Sequence, residues 1–111
     1  MKIKCLMVSI IVLIASEANA GVWSGDTEIR QIYPHSKNNT DGSIYYRFNE
    51  LVDSSNCANK SLIALKKSNN LSSEIYALML MAFASNKKVR YYVEGCDAHG
   101  YPELHHAYVN G

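Results

Sequence analysis

The apolar residues of this chain change period once, and that change limits the folds open to it. From Thr27 to Lys67, and again from Lys87 to Val109, apolar and polar residues alternate; between them, from Leu71 to Ser85, the spacing is helical. Alternation marks a half-buried strand, and recurrence at i, i+3, i+4 and i+7 marks a helix. The first block divides into "TEIRQIYPH" (Thr27 to His35, stopped by Pro34), "SIYYRFNE" and "SLIALKK". Between them lie the loops "SKNNTDG", with Asp41-Gly42 as its turn signal, and "DSSNCANK". The last block divides into "KVRYYVEGC" and "ELHHAYV", joined by "DAHGYP". Three strands, one helix and two strands predict a mainly β chain folded as a small five-stranded OB-type barrel, its helix between strands three and four.

Strand phase assigns faces. Ile44, Tyr46 and Phe48 share one side and Tyr45 and Arg47 the other; Val89, Tyr91 and Val93 oppose Arg90, Tyr92 and Glu94. Tyr46, Tyr91 and Tyr108 are expected to fill the core, and Tyr45 and Tyr92 to lie outside it. In the helix, Ser72 or Ser73 is the expected N-cap, Glu74 suits the first turn, and Asn86 is the expected left-handed stop. Ile75, Leu78, Met79, Ala82 and Phe83 form the expected core stripe. Yet Tyr76, Ala77, Leu80, Met81 and Ala84 are apolar or aromatic as well, and no charge occurs from Ile75 to Ala84. A helix apolar all round is covered on more than one side. Either loops cover it, or a neighbouring subunit does. The second reading predicts a homo-oligomer, with a pentamer favoured, in contact through Tyr76 and Leu80.

The first twenty residues read as a cleaved secretory signal. A basic "MKIK", the apolar "CLMVSIIVLIA" and the small-residue box "ANA" precede Gly21, and the apolar run is too short to span a bilayer. Residues 21–111 then form one domain that is secreted or periplasmic, with no stable membrane insertion. Removing Lys2, Lys4 and Glu17 from the 11 basic and 10 acidic side chains leaves nine of each. That balance argues against nucleic acid as a partner. Cys5 leaves with the signal, so Cys57 and Cys96 remain as an even pair in an oxidising compartment, where a disulfide is expected. Closing a loop of about 40 residues stabilises a small domain by up to about 4 kcal/mol on the chain-entropy model.

The residues that could carry chemistry do not assemble into a known set. A metal would recruit Asp97, His99, His105 and His106, but adjacent histidines on a strand face opposite ways, and neither H-x-x-x-H nor C-x-x-C is present. Serines cluster in turns and near the helix start, no G-x-S-x-G occurs, and no signal favours a Glu94–Glu103 carboxylate pair. The reading is therefore of no metal, no cofactor and no catalysis. Eight tyrosines, Trp23 and two phenylalanines point to binding instead. Tyrosine joins an apolar face to a polar tip, which suits sugar rings and protein partners. Trp23, Tyr45, Arg47 and Tyr92 are the expected ligand residues. The expected ligand is a glycan or glycoprotein; the alternative is an adaptor or inhibitor that meets one protein through its barrel face.

Three short motifs carry a family likeness. "VWSGD" (Val22 to Asp26) resembles the Trp-[Ser/Thr]-Gly-Asp start of the B subunits of subtilase cytotoxin and of typhoid-toxin-type, pertussis-like AB5 toxins. The helix followed by "SNKKVRYYV" is similar to their helix, turn and following strand, and Tyr101-Pro102 falls just before the last strand, as a Tyr-Pro does there. The resemblance implies an OB fold, a ring-shaped pentamer with helices lining its inside, binding of sialylated glycans on host cells, and an enzymatic A subunit as partner. This chain lacks the longer segment after the motif that supplies a serine to the family's glycan pocket, and it has no cysteine-containing C-terminal extension. The sialic-acid pocket therefore does not carry over as a unit.

Overall fold

The structure, a computed structural model, describes residues 21–36, 42–52 and 57–111. The expected signal segment, residues 37–41, which include Asp41 of the expected turn signal, and residues 53–56 lie outside the described residues. The elements in chain order are β1 (Val22–Trp23), β2 (Ile29–His35), β3 (Ser43–Phe48), β4 (Ile63–Lys66), α1 (Ser72–Ser85), β5 (Arg90–Cys96) and β6 (Pro102–Tyr108). The chain is thus mainly β with one helix, and all five expected strands are present.

A sixth strand joins them. β1 pairs antiparallel with β5, Val22 opposite Val93 and Trp23 opposite Tyr92. Two residues are too few to show any period. All six strands lie in one sheet of order β1-β5-β6-β4-β3-β2. Neighbours are antiparallel except β4 and β6, which meet in parallel at Ala64 and Glu103. The sheet is open, not a closed five-stranded barrel. An isolated bridge joins the residue before β5 to the approach to β2: the Thr27 N–H donates to Val89 O at 3.0 Å, and the Val89 N–H to Thr27 O at 2.8 Å. Pro34 does not end β2, which runs on to His35 opposite Ser43. β2 is an edge strand, where a residue without an N–H is tolerated.

The core follows strand phase. Ile44, Tyr46, Phe48, Ile63, Leu65, Val89, Tyr91, Val93 and Leu104 form its centre, and the Phe48 and Tyr91 rings stack at 4.1 Å. The helix closes it with Ile75, Met79 and Ala82 only. Leu78 is half-buried, and Phe83, expected inside, is exposed. Both lie on the flanks of the i, i+4, i+7 stripe, where coverage depends on how far the sheet extends beneath the helix. The N-cap is Leu71, without a side-chain cap, rather than Ser72 or Ser73. The Leu71 N–H is taken instead by Asn69 Oδ1 at 2.8 Å. Asn86 ends the helix with φ 57° and ψ 38° in the left-handed region, as expected.

Cys57 and Cys96 form a disulfide with their Cα atoms 5.6 Å apart. It is compatible with an extracellular or periplasmic location. No helix among the described residues is long and apolar enough to cross a membrane.

Candidate functional site

Two β-bulges decide which side chains face out on the β5–β6 hairpin. Tyr92 pairs with His106 but Val93 with Leu104, so β6 carries one extra residue, His105. Cys96 then pairs with Pro102, so β5 carries the compensating extra residue beyond Val93. Gly95, at φ 77°, sits within it. A bulge opposes two residues to one and shifts the phase of its strand. Leu104 therefore points into the core with Val93, while past His105 it is Ala107 that sits opposite Tyr91. His106 and Tyr108 turn outward beside Tyr92 and Arg90. Uninterrupted alternation from Leu104 would have buried both. That is why Tyr108, expected in the core, is 37% exposed.

The result is an exposed aromatic face built from three strands. Trp23 of β1, 48% exposed, lies 5.2 Å from the Tyr92 ring, 5.6 Å from Tyr108 and 6.4 Å from His106. Tyr92 and His106 stack at 5.3 Å. The "VWSGD" segment anchors this face. Ser24 Oγ accepts the Tyr91 N–H at 2.9 Å, and the Ser24 N–H donates to Tyr91 O at 2.8 Å. Asp26 pairs with Arg90 Nε at 3.0 Å, and the Arg90 guanidinium donates to the Tyr108 hydroxyl at 3.4 Å. The Tyr92 hydroxyl donates to Glu94 Oε1 at 3.2 Å. Burial first, then the Glu94 charge, raise the Tyr92 phenol above its ordinary value, against a lowering contribution from the Gly21 N–H.

His106 also lines a cleft of 410 Å3 of mixed polar and apolar lining, shared with Lys66, Asn69, Asn70, Leu71, Glu103 and His105 among others. Lys66 and Glu103 pair across the cleft at 3.3 Å, and the Asn69 amide donates to Leu104 O at 3.3 Å. The aromatic face is thus continuous, through His106, with a concave surface of amide, carboxylate and ammonium groups.

Of the four expected ligand residues, the structure brings Trp23 and Tyr92 together and separates the other two. Arg47 is exposed on β3 and donates to Gln31 Oε1 at 3.0 Å. Tyr45 is only 1% exposed, which corrects its expected exposure. It does face away from the main core, but the β5–β6 turn folds over it. The Tyr101 ring lies 5.2 Å away, and the Tyr45 hydroxyl donates to Asp97 Oδ2 at 3.2 Å. Asp97 Oδ1 meanwhile accepts the N–H groups of His99 and Tyr101 at 2.9 Å each. The Asn59 amide, donating to His99 O at 2.7 Å, and the neighbouring disulfide hold the turn down. Asp97 is thus a turn-forming carboxylate, and among the described residues no three His, Cys, Asp or Glu side chains converge on a metal position. His106 and Tyr108 were missed because the bulge is not legible in the sequence; the polar His106 in a slot that alternation assigns to the core was the only sign. Of the expected interface residues on α1, Leu80 is 42% exposed and Tyr76 is half-buried against the core.

Compared with known proteins, the chain matches no family model, no curated protein and no solved structure.

Proposed function

We propose that this protein is a secreted, non-enzymatic binding module that seats a cell-surface glycan, free or on a glycoprotein, on the Trp23–Tyr92–His106–Tyr108 face. One observation carries the reading: clustered aromatic rings from three strands, with Trp23, His106 and Tyr108 exposed and Tyr92 half-buried among them, adjoin a cleft lined in part by amide, carboxylate and ammonium groups. Aromatic faces take the C–H face of a pyranose, and polar groups beside them take its hydroxyls. Isolated exposed hydrophobic residues are ordinary, but a clustered aromatic patch marks an interaction site.

The same proposal includes a partly open OB-type barrel formed by β2 to β6, with β1 added outside it. The β2-β3-β4 meander, the helix, the β5–β6 hairpin, the parallel β4–β6 contact and the Thr27–Val89 bridge support it. It also includes ring assembly through α1. Leu80, Met81 and Phe83 are exposed on a face without charge, which suits a second copy of the same face or of a neighbouring one in a closed ring. A relationship to AB5 toxin B subunits, with an enzymatic A subunit as partner, is supported by "VWSGD", by the helix followed by "SNKKVRYYV" and by Tyr101-Pro102.

A glycan array probed with the purified secreted protein and with Trp23→Ala and Tyr108→Ala tests the binding reading. Saturable binding to a glycan class, weakened at least tenfold by Trp23→Ala with the fold intact, is the expected result. Silence across the array, or binding untouched by both substitutions, overturns it.

A further inference from the structure

Gly21 lies where a free α-amino group would find partners. β1 sets Val22 opposite Val93 and Trp23 opposite Tyr92, so the antiparallel direction carries Gly21, just before the paired residues, toward Glu94. The Gly21 backbone lies close against the Tyr92 hydroxyl, and that hydroxyl donates to Glu94 Oε1 at 3.2 Å. A Cβ at position 21 would overlap the Tyr92 hydroxyl and ring, so glycine is the residue that lets the backbone nitrogen approach this closely. Inside a peptide bond that nitrogen carries one proton and no charge. At a chain end it is an ammonium with three donors, and an anionic acceptor opposite it becomes an ion-pair partner.

We propose that cleavage of the Ala20–Gly21 bond creates an ammonium at Gly21 that the Tyr92 hydroxyl and Glu94 carboxylate capture, so that maturation itself pins β1 and fixes Trp23 in the aromatic face. The proposal rests on reading residues 1–20 as a cleaved signal. The bond is hydrolysed by a signal-peptidase-class protease: water adds across it, leaving a carboxylate on Ala20 and the ammonium on Gly21. β1 has only two paired residues, and a short terminal strand frays unless its end is tied down. The capture supplies that tie at the free end, two residues from Trp23. The groups around it are Tyr92 and Glu94 of β5, His106 stacked on Tyr92 at 5.3 Å, and His105, whose Nε2 lies 3.1 Å from the Glu94 carbonyl and 3.8 Å from Glu103 Oε1.

The full chain is expressed in an exporting bacterial host, and the secreted protein is analysed by intact mass and by competitive acetylation of its α-amine across pH. Glu94→Gln and Tyr92→Phe are treated identically. The expected N-terminus is Gly21, with an α-amine titrating at least about half a unit above the ordinary range of roughly 7.7–8.0, and Glu94→Gln restores the ordinary value. Acrylamide quenching of Trp23, the single tryptophan of the chain, is expected to rise about twofold in Glu94→Gln as β1 loosens. An N-terminus other than Gly21 defeats the signal reading and the capture together. A Gly21 terminus with an ordinary titration, or one that Glu94→Gln leaves unshifted, overturns the capture and leaves the signal reading standing. Should either variant fail to be secreted, the wild-type titration alone still decides.

Discussion

Three buried tyrosines differ in what their hydroxyls touch, and replacing each by phenylalanine should give results of different sign. Tyr45, Tyr46 and Tyr91 are all at most 1% exposed. The Tyr45 hydroxyl donates to the Asp97 carboxylate at 3.2 Å. The Tyr91 hydroxyl accepts the Val52 N–H at 3.1 Å and donates to Glu50 O at 3.5 Å. The Tyr46 hydroxyl is buried without a hydrogen-bond partner among the described residues, and burial, with the neighbouring Tyr76, raises its phenol far above the ordinary value. A buried hydroxyl left unsatisfied costs about 1–3 kcal/mol, and a satisfied one contributes about 1 kcal/mol, rising to about 1.5–3 kcal/mol when its partner is charged. The ring and its packing survive the substitution, so the hydroxyl is what the series reads. Tyr46→Phe should therefore stabilise the protein by about 1 kcal/mol. Tyr91→Phe should lose about 1 kcal/mol and strand the Val52 N–H. Tyr45→Phe should lose about 2 kcal/mol. In a domain of this size a change of 1 kcal/mol moves the thermal midpoint by about 4–8 °C, well within the reach of urea melts followed by circular dichroism. Destabilisation of Tyr46→Phe by more than about 1 kcal/mol would refute the reasoning, since the hydroxyl would then have to be satisfied in the folded state.

The same burial sets an alkaline limit. Tyr91 is pushed up to about 12 from 10.0 by burial, against the Val52 N–H, so the unfolded chain releases protons that the folded one retains. Stability from this source is complete below pH 10 and falls between pH 10 and about 12, by about 1.4 kcal/mol per pH unit per tyrosine; urea melts at pH 9 and 11 that coincide would contradict it. Replacing Cys57 and Cys96 together by alanine should lower stability by up to about 4 kcal/mol. A loss under about 1 kcal/mol would show that Asp97 and Asn59 hold the β5–β6 turn without the bond. Leu80→Glu should shift the protein to smaller species in multi-angle light scattering while leaving its circular dichroism unchanged. Wild-type protein that is monomeric at high micromolar concentration would remove the ring from the proposal.

Most of the core was legible because strand phase is a local property. Ile44, Tyr46 and Phe48 on one strand, and Val89, Tyr91 and Val93 near another, need only a period of two to be placed. The disulfide was legible from cysteine parity, and the helix stop from Asn86. What stayed hidden depends on contacts distant in sequence. Tyr45 has the phase of an outward residue, and the turn carrying Asp97 and Tyr101, more than fifty positions later, covers it beside the Tyr33 and His35 rings. Phe83 belongs to the helical pattern, but exposure depends on where the sheet beneath it ends. β1 needs a partner strand to exist at all. For the candidate site this meant that Trp23 and Tyr92 could be named from the sequence as ligand residues, whereas His106 and Tyr108 could not.

The extra residue in β6 makes the aromatic face depend on register as well as identity. Substitution at His105 leaves the number of residues between Pro102 and Tyr108 unchanged, and so leaves His106 and Tyr108 outside with Tyr92. Removal of that one residue would abolish the bulge and set Leu104 and His106 in plain alternation, so that both still met Val93 and Tyr92 and the two rings stayed outward. Divergence by substitution, or by loss of His105, can thus retune the face without losing it, whereas pairing β6 without the bulge while all its residues remain would turn His106 and Tyr108 inward and Ala107 outward.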